Sequence, residues 1–118
     1  MQFDALTVVT LIRPDDAPQL TDAEEDELQD AHMRFLAEQH ERGETLAAGP
    51  LLEQDDPSVR GFVIYAKDKH TARELASQDP KVRAGVLAIR TQVWMVPAET
   101  IAFIPSRFPR SMREAGAG

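Results

Sequence analysis

Residues 43–66, GETLAAGPLLEQDDPSVRGFVIYA, hold two apolar runs joined by the acidic turn EQDDPS, with no helical pattern between them. Thr45 to Leu52 reads as a strand that breaks at Gly49-Pro50, because proline removes a ladder donor and belongs at an edge or a strand end. Val59 to Ala66, rich in β-branched and aromatic residues, reads as the next strand. Two strands in direct succession between helical patterns set the order of the whole chain.

Upstream, Leu6 to Ile12 forms a first strand, ended by Pro14, Asp15, Asp16 and Pro18. Thr21-Asp22-Ala23-Glu24 then carries the spacing in which a threonine oxygen and a glutamate side chain satisfy each other's free backbone amides. The helix it starts runs through Leu28, His32, Phe35, Leu36 and Gln39, and Gly43 after Arg42 stops it. Downstream, Asp68 caps a shorter helix through Ala72, Leu75 and Ala76. Pro80 disfavours helical geometry at Asp79, so that helix ends and a separate turn begins, with Asp79 as its cap and Pro80 in first position. Val86 to Val96 is the fourth strand. The order is βαββαβ, an α+β ferredoxin-like sandwich with an antiparallel sheet and both helices on one face. The domain is expected to occupy residues 1–105. Residues 106–118 form a Pro/Gly/Arg-rich C-terminal tail, expected to be loosely held and dispensable for folding.

The chain has 118 residues, 42% of them hydrophobic and 28% charged, which suits one soluble globular domain. A formal net charge of −7, with no Lys/Arg-rich block in the first hundred residues, argues against nucleic acid as a partner. The absence of cysteine excludes disulfides and thiol chemistry and is compatible with a cytoplasmic location. The apolar run from Ala5 to Ile12 lacks a preceding basic region and is too short to span a bilayer, so no membrane partner is expected. Phe62-Val63-Ile64-Tyr65 and Val93-Trp94-Met95-Val96 are apolar on both faces of the sheet, while two helices cover only one. A homodimer that buries the other face is expected, the alternative being that Ile101, Phe103 and Ile104 fold back over it.

His32 lies on the helical stripe of core residues, where a histidine is either a satisfied core side chain or a chemical group facing the sheet. His40, near the helix end, complements the negative end of the helix dipole, and His70 reads as solvated. None shares a metal-ligand spacing with another, so no metal is expected. Asp79 is a helix cap on its own. Beside an imidazole it would instead fix the tautomer and raise basicity. Glu53, Asp55 and Asp56 read as a solvated acidic turn. Ser58, Ser77 and Ser106 lack a nucleophile-elbow pattern, and no Gly-rich phosphate loop occurs.

The segments AHMRFLAEQHERGETLAAGPL, RGFVIYA and ASQDPKVRAGVLAIRTQVWMV together resemble the YCII-related family over about residues 30–97. The shared features are a helix histidine, a glycine closing that helix, a Gly-Pro ending strand two, and an Asp-Pro followed by Ala-Gly. The resemblance implies a ferredoxin-like fold that dimerises into an α/β barrel, with an active site that pairs His32 and Asp79. Gly49, Pro50 and Pro80 would shape the pocket wall. Lys81, where the family often carries an aromatic residue, would open the pocket or add a positive charge. The implied function is general acid/base proton transfer of lyase or isomerase type on a small organic ligand, without a cofactor. The alternatives are a non-catalytic dimeric ligand-binding or regulatory module, and a structural dimer with the histidine sealed in the core.

Overall fold

The computed structural model describes residues 1–116. Its elements are β1 (Phe3–Ile12), α1 (Asp22–Glu41), β2 (Thr45–Pro50), β3 (Val59–Tyr65), α2 (Lys69–Ala76), α3 (Pro80–Arg83) and β4 (Ala88–Pro97). They build an antiparallel four-stranded sheet of order β2-β3-β1-β4. This is the ferredoxin-like arrangement, with α3 as one added turn. β1 starts earlier than the apolar run suggests, because pairing of Phe3 with Pro97 and Asp4 with Val96 holds polar backbone in the ladder. β4 starts later, since Val86 and Leu87 give their amides to Lys81 O instead.

α1 begins with the expected reciprocal cap between Thr21 and Glu24. It ends at Gly43, whose φ of 75° is a left-handed conformation that costs glycine little. Both long helices lie on one face of the sheet. There Val9, Leu11, Val63, Tyr65 and Leu87 pack with Ala72 and Ala76 of α2 and with Leu36 of α1.

On the opposite face Leu6, Ile64 and Val96 form a smaller cluster, which Val8, Phe62 and Phe103 border. The fold-back alternative therefore holds for Phe103 alone, and Ile101 and Ile104 remain exposed. Trp94, paired with Leu6 on this face, keeps 40% of its surface accessible.

β2 approaches β3 so closely that a Cβ added to Gly61 would stand 2.7 Å from Gly49 O and 3.1 Å from the Cα of Pro50. Both neighbours are backbone, so neither can swing aside. Gly61→Ala is expected to destabilise the fold by about 1–3 kcal/mol through forced displacement of the β2 end. A urea titration with an unchanged midpoint would show that β2 yields freely.

The tail is not loose. Ser106 N–H donates to His40 Nε2 at 3.1 Å, the Phe108 ring stacks on His40 with centroids 3.9 Å apart, and Arg110 pairs with Glu41 at 2.6 Å. Met112 N–H donates to Asp30 Oδ1 at 2.9 Å, so the segment straps along α1. The sequence hides this because the tail has no periodic apolar face and docks through one ring and a few polar bonds. Residues 117 and 118 of the expected tail lie outside the described residues. A chain ending at Pro105 is expected to fold cooperatively yet lose about 1–3 kcal/mol, from the stacked ring pair and the buried His40 acceptor left without a partner. Thermal unfolding checks this, and a non-cooperative transition would place the strap inside the folding unit.

Candidate active site

α1 and the Asp79-Pro80 turn meet at the end of the sheet near the break in β2. The spacing that puts His32 on the core stripe of α1 aims its ring at the start of α3, where Asp79 ends the preceding turn. His32 Nδ1–H donates to Asp79 Oδ2 at 2.7 Å. The other carboxylate oxygen, Oδ1, accepts the Lys81 backbone N–H at 2.9 Å. Asp79 thus caps α3 and binds the imidazole at once.

Asp79 is 1% exposed and His32 8%. An ionised carboxylate only accepts hydrogen bonds, so the neutral imidazole carries its proton on Nδ1 and leaves the Nε2 lone pair free. Among the described residues no hydrogen bond uses Nε2, yet no buried side-chain nitrogen or oxygen lacks a partner. Nε2 therefore opens on the cleft that His32 helps to line.

That cleft has a volume of about 810 Å³, within the range of small-molecule sites. Leu11, Leu36, Val63 and Leu87 supply apolar wall, and the tail closes one side with Phe108 and Met112. Of the pocket residues that the family resemblance implies, Gly49, Pro50 and Lys81 line the cleft. Pro80 lies outside its lining and serves as the first residue of α3. A Cβ on Gly49 would meet nothing within 4 Å, so internal packing does not demand glycine there. Lys81 Nζ donates to Gln29 Oε1. Burial pulls the Lys81 ammonium below its ordinary pKa, a shift that the nearby Asp79 charge opposes.

Other candidates fall elsewhere. Asp56 caps its own turn through the Ser58 amide and hydroxyl, which hold its carboxyl below the usual range, and of the three acids of the turn only Glu53 lines the cleft. His70 is exposed and pairs with Glu74 at 3.0 Å. His40 departs from the expected dipole role. It is buried, donates from Nδ1 to Thr45 O at 3.0 Å and accepts the tail at Nε2, which makes it an anchor for the strap.

Sequence reasoning missed a polar network in the core. Tyr65 O–H donates to Gln39 Oε1 at 2.8 Å, and Gln39 Nε2 donates to Leu75 O at 3.0 Å. Burial raises the Tyr65 phenol far above its ordinary pKa, with the Asp79 charge adding to the rise, so it stays a protonated donor. The spacing of Gln39 on the core stripe was the available signal, since a buried glutamine requires a partner.

A ferredoxin-like α+β domain with a buried imidazole–carboxylate pair opening on an apolar cleft defines the class of this protein. The sequence model of the YCII-related domain matches residues 7–95, and the chain belongs to that family. No curated protein matches the chain. Among the described residues, no helix is long and apolar enough to cross a membrane.

Proposed function

We propose that the chain is a small-molecule enzyme of lyase or isomerase type in which His32 is the general acid/base and Asp79 orients it. One observation carries the reading. The 2.7 Å bond to Asp79 commits the imidazole proton to Nδ1, while Nε2 faces a ligand-sized cleft. A neutral Nε2 takes a proton from an acidic C–H or O–H of the substrate and becomes imidazolium, stabilised by the adjoining carboxylate. The same nitrogen then returns the proton to another substrate atom or to a departing group, and the neutral imidazole is restored. Nothing in this cycle draws on a metal or an organic cofactor.

A histidine sealed in the core would leave no nitrogen facing the cleft, so the free Nε2 favours chemistry over a purely structural role. Separation from a binding-only module comes from proton exchange. The protein is mixed in D2O with a panel of small cyclic and open-chain carbonyl compounds, and loss of α-proton signals is followed by NMR. Exchange that requires His32 supports the enzyme reading, and exchange unchanged in His32→Gln sinks it.

We also propose that the sheet face carrying Trp94 buries against a second copy of the chain. Light scattering at micromolar concentration is expected to give about twice the mass of one chain, as a stable interface of about 1,600 Å² would require. A monomer under those conditions would overturn the dimer.

A further inference from the structure

The chain has 20 acidic and 13 basic residues, yet its cleft reverses that balance. Arg13, Arg60 and Lys81 line it beside His32, and Glu53 is the one carboxylate in the lining among the described residues. Arg13 reaches it from the loop after β1, Arg60 from β3 and Lys81 from α3. The Lys81 ammonium feels burial first, then the favourable charges of Asp79 and Glu25, and then the opposing charges of Arg60 and Arg13.

Among the described residues none of the three forms an ion pair with a carboxylate. Arg60 uses only Nε, which donates to Pro57 O at 2.8 Å, and its terminal nitrogens have no hydrogen-bond partner among the described residues. Arg13 has no side-chain hydrogen bond there, and Lys81 holds only the neutral Gln29 amide. Asp79 and Glu25 offset part of the Lys81 charge, but no carboxylate pairs with either arginine, so the cluster is only partly neutralised and burial still works against the half-buried Lys81 ammonium. Such a cluster gains most when an anion enters.

We propose that the ligand of this cleft is a small organic carboxylate, with its charged group held by Arg13, Arg60 and Lys81 and its apolar body laid against Leu36 and Phe108. The inference rests on the reading of the cleft as the His32 site and names the class of substrate it takes. A carboxylate fits better than a phosphate. Guanidinium forks grip carboxylate and phosphate oxygens alike, but the cleft lacks the Gly-rich run of backbone amides that cradles phosphates. The apolar wall requires a hydrocarbon body that inorganic anions do not have. Anchored at the three cations, such a ligand extends along the cleft towards His32 Nε2.

The test uses the full chain and a matched pair of probes, phenylacetate and phenylacetamide, titrated by amide NMR at low salt, with inorganic phosphate as a third arm. Phenylacetate is expected to bind at least about tenfold more tightly than its amide, with shifts centred on the cleft, and the preference should fall as salt rises. Arg60→Gln and Lys81→Gln are each expected to remove most of that preference, weakening phenylacetate binding far more than amide binding. A backbone spectrum that matches the parent protein shows that both variants fold. Equal binding of the two probes, binding of neither, or phosphate binding as tight as phenylacetate overturns the proposal. His32→Gln separates the two readings. If it abolishes proton exchange on neutral carbonyl compounds but phenylacetate never binds, the acid/base reading stands and the carboxylate class falls. If phenylacetate binds as expected and exchange survives in His32→Gln, the ligand class stands and the catalytic reading falls.

Discussion

Asp79→Ala is expected to lower the unfolding free energy by about 2–4 kcal/mol, the sum of a lost helix cap and a buried imidazole N–H left without an acceptor. The carboxylate is 1% exposed, and each of its oxygens has one assignment, Oδ2 to His32 Nδ1 and Oδ1 to the Lys81 amide. Truncation strands both donors beside a carboxylate position that is almost fully buried. Asp79→Asn is milder, because its Oδ1 still accepts the Lys81 amide, and it should lose about half as much or less. Urea unfolding of the two variants beside the parent checks this. A loss below about 1 kcal/mol for Asp79→Ala would mean that solvent replaces both bonds, contrary to the burial on which the site depends.

The second large effect is on proton transfer. His32→Gln is expected to slow substrate proton exchange by about 10²–10⁴-fold, the usual contribution of a positioned acid/base group. Asp79→Asn should approach the same loss for a different reason. Its oxygen is retained by the Lys81 amide, so its NH2 group takes the place of Oδ2 and donates to His32 Nδ1. The imidazole proton must then sit on Nε2, and the nitrogen facing the cleft no longer has a lone pair. Imidazole 15N shifts report this directly: the parent is expected to carry its proton on Nδ1 and the Asp79→Asn protein on Nε2. The double variant should be no slower than His32→Gln alone, because the two residues act as one unit. An unchanged tautomer in Asp79→Asn would uncouple the pair and leave Asp79 as a cap only.

Much of the fold was legible because its signals are local. The Thr21–Glu24 cap, the Gly43 stop and the β-branched apolar runs each depend on neighbours a few residues away, where steric and hydrogen-bonding rules apply directly. The start of β1 was misplaced because it exists through pairing with the end of β4, across about ninety residues of chain, and the start of β4 because Val86 and Leu87 bond back to Lys81 O. The tail was misjudged for the same reason. His40 and Phe108 carry no mutual signal in sequence, and their stacking arises only once α1 and the C-terminal segment are side by side.

By itself the sequence determined the βαββαβ order, the place of His32 on the buried stripe of α1, and Asp79 as the residue opening α3, since propensity and periodicity act within a turn or two. Only the tertiary structure decided that the two side chains, 47 residues apart, meet at 2.7 Å with one imidazole nitrogen left free. It also decided that Arg13 and Arg60 share a cleft with Lys81, and that Gly61 must lack a side chain for β2 to close against β3. Those outcomes depend on the register of the sheet and on how the helices sit across it. Such long-range packing is set by the whole core at once and leaves no mark on any short stretch of sequence.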